Sequence, residues 1–439
     1  MNRAAPDPRL AAHRILLDVE DGAYTDRAAA LHASPLPRRE RALARELAYG
    51  SIRLRARLDV ELAHLLDRPL DRVEPSLRQW LRLGLYQLRE TRVPPHAAVN
   101  ETVARARARA GRRAAGLVNA VLRASQRLED RSTLYPALER DPIGHLTTFG
   151  SHPEWLVRRW LDRWPLDRVT SLVEANNRPR PTVVRLLDPD GPAEASLRAG
   201  EAFTLLPLEA WPRSCVLARG APGGLLARLA AVVQDPAASA VVDYAGPSVE
   251  SPVLDICAAP GGKTSVLAWT HPGAGPFVAA DVSPERLRDV EQAATRLGLD
   301  VGCVVADGRK PAFARARTVL LDAPCTGTGV LGRRPDARWR LTQRRLDSLT
   351  RLQSALLDAS AELVETGGRL IYSTCSLEPE ENELQVASFI ERNAGFELER
   401  PGDLSVPSGV IGKGGELRVL PWLYDTDGAY AVRLRRRRA

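Results

Sequence analysis

The stretch Val253-Leu-Asp-Ile-Cys-Ala-Ala-Pro-Gly-Gly-Lys-Thr264 decides how the chain folds. Val253 to Ile256 is a short apolar run of the kind that forms a strand buried on both faces. Pro260, Gly261 and Gly262 break it, and a helical pattern begins near Lys263. Strand, glycine turn and helix together make a cradle where backbone approaches a ligand closely. One reading is a triphosphate-binding loop, because Gly262-Lys263-Thr264 fits its end. That loop needs a glycine five residues before Gly262, where this chain has Cys257. The other reading is the nucleoside-binding turn of a doubly wound sheet. It calls for an acid some 20 residues on, at the end of the next strand, to hold ribose hydroxyls. Phe277-Val-Ala-Ala-Asp281 supplies one.

Around that turn the alternation is regular. Strands are expected at Val253–Ile256, Phe277–Ala280, Val301–Val305, Val319–Leu321 and Arg369–Ser373, with helices between. Pro284 to Leu297 is one of these helices, capped by Ser283. Five strands with intervening helices imply a parallel, Rossmann-like α/β sheet. Ligands of such sheets sit at the carboxyl ends of the strands. The residues there are Cys257 to Lys263, Asp281, Asp307, Asp322 to Gly329 and Thr374-Cys375-Ser376.

Residues 8–130 read instead as helices, with leucines near helical spacing from Arg38 to Leu66 and proline breaks at Pro69, Pro75 and Pro94-Pro95. The expected organisation is an all-helical domain over 1–130 and a linker over 131–150. A small α/β RNA-binding module over 151–245 and the main α/β domain over 246–439 would follow. Residues 1–130 hold 24 arginines against 16 acids, a surplus equal to the whole chain's +8. A basic first part beside a near-neutral remainder suits a nucleic-acid partner. Solvation of helix surfaces explains that charge about as well.

Only three of the 62 basic residues are lysines, Lys263, Lys310 and Lys413. A lysine in the glycine turn therefore looks chosen for its compact ammonium. Five scattered cysteines suit a reducing cytoplasm and exclude a disulfide framework and a zinc site. No apolar run is long enough for a membrane span, and the charged start carries no signal-peptide core.

Cys325 in Asp322-Ala-Pro-Cys325 and Cys375 in Tyr372-Ser-Thr-Cys375 each stand where a strand ends. Cys215 and Cys303 lie in strand-like runs and read as small buried residues. Two thiols at one rim suggest covalent catalysis by a thiolate, whose population Lys263 or a helix N-terminus would raise. The residues alone do not say which of the two is the nucleophile.

Taken together, Leu254 to Thr264, Asp322-Ala-Pro-Cys325 and Thr374-Cys375-Ser376 resemble the RNA cytosine-5 methyltransferases of the NOL1/NOP2/Sun family, and do so in that family's order and spacing. His96-Ala-Ala-Val-Asn-Glu101 and Gly116-Leu-Val-Asn-Ala-Val-Leu-Arg123 resemble a NusB-type RNA-binding domain. The resemblance implies S-adenosyl-L-methionine as cofactor, held by Cys257, Ala258, Ala259, Pro260, Gly261, Gly262 and Lys263. Asp281 would meet its ribose, Asp307 its adenine, and Asp322 would also line the site. It implies Cys375 as nucleophile, Cys325 in proton removal and release, and Asp322 in recognition of the base. It also implies a cytosine of 16S rRNA as target, no metal, and a monomer. The same chemistry on tRNA and a non-catalytic RNA-binding factor are the alternatives. Arg333-Arg334-Pro335-Asp336 is expected at RNA phosphate, and Arg433 to Arg438 as an RNA contact or a disordered end. Thr326 stands where the family usually has serine, and Asp427-Gly-Ala-Tyr430 lacks the aromatic often found after the glycine.

Overall fold

The computed structural model describes residues 7–188, 191–246, 249–273, 275–402 and 404–438. The first six residues of the chain lie outside that set. Contacts divide the chain into two units, residues 1–179 with 331–340, and residues 180–330 with 341–439. The sequence boundaries at 130, 150 and 245 thus differ from a contact division that falls after Pro179.

The first unit is helical. Its helices include Pro8–Glu20, Thr25–His32, Arg38–Arg53, Arg55–Leu65, Pro75–Glu90 and Pro95–Gln126. Their apolar faces bury Ile15, Leu47, Leu62, Trp80, Leu81, Val118 and Leu122 in one core. His13 belongs to it, stacked on Trp80 at 4.0 Å. Burial holds its imidazole below the usual histidine range, which removes it from chemistry. Pro95–Gln126 is one long element with a kink, where Gly111 takes φ 83°. Only glycine adopts that backbone at little cost.

Residues 131–150 are not a bare linker, since they carry a helix at Pro142–Thr148 that buries Leu146. The next helix, Glu154–Leu161, begins after Pro153 with no side-chain cap. The Ser151 hydroxyl accepts from Ala56 N–H at 3.1 Å.

Residues 331–340 belong to this unit. Arg338 is fully buried and donates to the carbonyls of Arg53, Ser151, Asn176 and Leu331 and to Asn177 Oδ1, at 2.8–3.3 Å. Trp339 donates to Ile52 O at 2.8 Å, and Arg53 donates to Gly332 O at 3.1 Å. Asp336 is buried and paired with Arg340. In the segment expected at RNA phosphate, Pro335 and Asp336 are buried, Arg333 is half-buried and Arg334 is exposed.

Among the described residues the second unit holds twelve strands. In chain order they are β1 Val183–Leu186, β2 Thr204–Pro207, β3 Ser214–Arg219, β4 Ala231–Val233, β5 Val253–Ile256 and β6 Phe277–Asp281. There follow β7 Val301–Val305, β8 Ala316–Asp322, β9 Val364–Thr374, β10 Phe396–Leu398, β11 Leu417–Val419 and β12 Ala429–Arg436. The first four form an antiparallel sheet in the order β2-β3-β1-β4.

The rest form a mixed sheet in the order β10-β12-β9-β8-β5-β6-β7, with β11 beside β12. The five expected strands are its parallel core. Helices Gly262–Thr270, Pro284–Leu297 and Gln343–Glu362 cross between them. Leu254, Ile256, Val319, Leu321, Leu370 and Tyr372 are buried in its main cluster.

The arginine-rich end is a correction. It is strand β12, with Arg433 buried and Arg436 donating to Val364 O at 2.7 Å. Ladder hydrogen bonds and acids on neighbouring elements, Glu399 for Arg435 and Glu397 for Arg437, account for a charge run that looked unstructured.

Candidate active site

The loop after β5 turns sharply. Cys257 takes φ 65°, a costly backbone for a residue with a side chain, and Gly261 takes φ 91°. A Cβ on Gly261 would meet Val290 of the next helix at 3.0 Å, so both the angle and the packing require glycine. Several of the loop's donors are already engaged. Ala259 N–H goes to Asp281 Oδ2 at 3.2 Å, and Gly261 N–H to Ala258 O at 2.8 Å. Lys263 Nζ reaches Asp322 Oδ2 at 2.7 Å, and Thr264 donates to Asp255 Oδ2 at 2.5 Å. A phosphate cradle needs free amides, a free ammonium and a free hydroxyl, and here the loop's lysine and threonine side chains point at carboxylates. Acids around an open glycine turn fit a sulfonium and a ribose instead, so the residues fit S-adenosylmethionine.

Asp281, at the end of β6, also accepts from Ser283 N–H at 2.9 Å and is 4% exposed. Asp307 follows β7, where Arg309 clasps it with Nε and Nη2 and holds its carboxyl at about 2. Asp255 lies under the loop with Oδ1 unpartnered. Burial, opposed by the Thr264 hydrogen bond, pushes its carboxyl up to about 7. Burial and the nearby acids push the Cys257 thiol to about 12, so Cys257 stays protonated.

Strands β8 and β9 deliver the reactive groups. They pair with Asp322 opposite Ser373, and Ser373 Oγ donates to Asp322 Oδ1 at 2.7 Å. Three residues past Asp322 and two past Ser373, Cys325 and Cys375 meet with their sulfurs 3.3 Å apart. Cys325 is held well above the usual thiol range, first by its hydrogen bond to Cys375 and then by burial. Burial would lower the Lys263 ammonium, but Asp322 and the charge at Cys375 outweigh it and raise it. The two sulfurs therefore stand in contact beside an ammonium held by Asp322.

The backbone behind the pair is tight. Gly329 N–H donates to Cys375 O at 3.0 Å, and Gly428 N–H to Gly329 O at 2.7 Å. A Cβ on Gly329 would meet Cys375 O at 2.8 Å and Gly428 Cα at 2.9 Å. Gly428 is therefore packed directly on the loop that follows Cys325.

The residues expected at the cofactor turn and the two cysteine loops, Cys257 to Lys263, Asp281, Asp307, Asp322, Cys325 and Cys375, lie at the carboxyl ends of β5 to β9. Sequence reasoning missed Glu378, Glu381 and Asn382, all buried. The run Glu378-Pro-Glu-Glu-Asn-Glu383 has the composition of a solvated turn and no periodicity that would mark it as interior. Cys215 and Cys303 lie within strands, as their sequence context implied, and burial raises both thiols. Among the described residues no helix is long and apolar enough to cross a membrane, and no group of three or more His, Cys, Asp or Glu could hold a metal.

Comparison with known proteins places this geometry. Residues 6–127 match the NusB family, and residues 152–186 match the ferredoxin-like domain of RsmF/B-type methyltransferases. Residues 244–435 match the family described as 16S rRNA methyltransferase RsmB/F. The ribosomal RNA small subunit methyltransferase B of Sodalis glossinidius is 34% identical over 410 residues, 91% of each chain. The solved structure of PH0851 superposes with a TM-score of 0.78 over 98% of this chain and 99% of its own, at 22% identity, and so speaks to fold. A methyltransferase homologue from Pyrococcus horikoshii is 25% identical, with a TM-score of 0.56 over 68% of this chain and 99% of that one. An N-terminal NusB-type helical domain, a Rossmann-like catalytic sheet and a turn suited to S-adenosylmethionine agree with these matches: the chain belongs to the RsmB/F family of S-adenosylmethionine-dependent rRNA methyltransferases.

Proposed function

We propose that this enzyme methylates carbon 5 of a cytosine in 16S rRNA through a covalent adduct between Cys375 and carbon 6. The observation that carries the reading is the 3.3 Å approach of the Cys375 and Cys325 sulfurs beside the Lys263–Asp322 pair. The target base is unstacked into the pocket. The Cys375 thiolate bonds to carbon 6, and ring nitrogen 3 takes up a proton from the Lys263–Asp322 pair. Asp322, oriented by Lys263 and Ser373, hydrogen-bonds the ring's polar edge. Carbon 5 becomes nucleophilic, and S-adenosylmethionine supplies the methyl group and leaves as a thioether. The carbon 5 proton then passes to solvent with the help of Cys325. The 5,6 double bond re-forms, Cys375 leaves as thiolate, and nitrogen 3 returns its proton. Cys257 to Lys263 would hold the cofactor, with Asp281 for its ribose and Asp307 for its adenine.

The helical unit is read as the RNA-binding part. Arg107, Arg109, Arg112 and Arg113 flank the Gly111 kink, all exposed, and none forms an ion pair among the described residues. Free guanidiniums on one kinked segment suit phosphate.

The test is a denaturing gel of protein, small-subunit rRNA transcript and labelled cofactor. Wild type transfers methyl groups. Cys325→Ala accumulates a stable protein–RNA adduct, because release stalls. Cys375→Ala gives neither. An adduct with Cys375→Ala would exchange the two cysteine roles.

A further inference from the structure

Beyond the last rung that joins β8 to β9, where Ala323 N–H donates to Ser373 O at 2.8 Å, the two cysteine loops leave the ladder. Something else must fix their sulfurs. One short turn, Pro379–Glu381 with Asn382 after it, touches both loops on both sides of each cysteine.

The Glu381 carboxylate accepts from Thr326 N–H at 2.9 Å and from the Thr326 hydroxyl, directly after Cys325. Gln353 Nε2 donates to Glu381 Oε1 at 3.0 Å and to Pro324 O at 2.9 Å, directly before Cys325. Cys325 is thus bracketed through Glu381. Asn382 does the same for Cys375. Thr374 Oγ1 donates to Asn382 Oδ1 at 2.6 Å, and Asn382 Nδ2 donates to Ser376 O at 2.9 Å. The halves are tied together by Thr326 Oγ1 and Ser376 Oγ at 3.1 Å, and by Tyr372 Oη, which donates to Glu381 O at 2.6 Å. Glu381 is fully buried, and its side-chain partners are neutral. A carboxylate in such surroundings persists only where several donors hold it, so the network is stiff.

We propose that the adjacent pair Glu381 and Asn382 is a clamp that sets the distance between Cys325 and Cys375, each acting as a positioning residue for one sulfur. This rests on the two-cysteine reading above. A buried acid without a cation also opposes a second negative charge nearby, which agrees with Cys325 keeping its proton while Cys375 reacts.

The experiment measures methylation by full-length Glu381→Gln, Glu381→Ala and Asn382→Ala. Each is also built in the Cys325→Ala background to follow adduct formation. Misplacement by about 1 Å costs roughly a hundredfold in rate. The expected result is kcat down about a hundredfold in Glu381→Ala and about tenfold in Glu381→Gln, which keeps the shape. The KM for cofactor and for RNA should stay within about twofold, and the adduct should form correspondingly slowly. A role limited to stability would lower the melting temperature and the amount of active enzyme but leave the adduct rate per folded molecule unchanged, and that result overturns the clamp. Should Glu381→Ala not fold, Gln353→Ala removes the bridge between Glu381 and Pro324 and leaves the carboxylate on Thr326, and wild-type kcat in that variant overturns the proposal equally. Cys325→Ala by itself separates the two failures: without an adduct there, the cysteine reading fails first.

Discussion

The turn at 379–382 and the helix segment at 107–113 carry charge in sequence and meet opposite fates. In the first, Glu381 and Asn382 are withdrawn from water and surrounded by amides, hydroxyls and carbonyls. In the second, four arginines stand in solvent around a glycine kink, and among the described residues no carboxylate is paired to them. Burying an ionic group is costly, so a buried one is kept only where its hydrogen bonds fix a geometry that apolar packing would leave loose. An exposed charge costs little and acts at a distance on a charged partner. The contrast teaches that composition marks where charge is and says nothing of which job it has.

Arg338 should give the largest break in that contrast, because it is a buried cation whose five acceptors are all neutral. Burial, and Arg53 beside it, place its guanidinium well below the ordinary arginine range. Arg338→Met leaves four carbonyls and an amide oxygen without their donor, each costing about 1–3 kcal/mol. The expected destabilisation is about 3 kcal/mol or more, read as a lower denaturation midpoint. If the midpoint did not move, a buried charge would count for no more here than an exposed one.

Asp255 sharpens the same point through pH. Its carboxyl is raised to about 7, so the fold favours the protonated form. The stability it contributes is therefore complete below about pH 4, the unfolded value, and is lost as pH rises to about 7. Asp255→Asn keeps an acceptor for Thr264 and removes the titration. Its stability relative to wild type should increase between about pH 5 and pH 8, by on the order of a few kcal/mol. Parallel curves for the two proteins across that range would refute it.

The exposed side gives the smallest effect on the protein itself. Replacing Arg107, Arg109, Arg112 and Arg113 with Gln should leave melting temperature and kcat unchanged. RNA binding should weaken about tenfold, and the slope of log K against log salt should flatten by roughly 0.7–0.9 for each phosphate that is no longer neutralised. An unchanged slope would make this segment a solvated face and remove it from the RNA-binding surface.

Much of the site could be read in the chain because its residues mark strand ends. An apolar run closed by Cys257 or Asp322 must bring that residue to the rim, whatever surrounds it. The five parallel strands were legible for the same reason. Strands β10, β11 and β12 were not. Two of them have three residues, and the third carries Arg433, Arg435 and Arg436 in its second half, a charge run that reads as solvent-facing. Asp336 looked like surface because its partners lie as far as 311 residues away in sequence, as with the hydrogen bond from Thr25 N–H to Asp336.

Sequence by itself determined the parallel core, the glycine turn between strand and helix, and the two thiols at strand ends. Those are local matters, set by backbone allowance at Gly261 and by where apolar runs stop. Only the tertiary structure decided that the two sulfurs stand 3.3 Å apart, that Lys263 is held by Asp322, and that Glu381 and Asn382 lie beneath both cysteines. These depend on pairing between segments far apart in the chain, in a register fixed by burying both faces of the sheet at once.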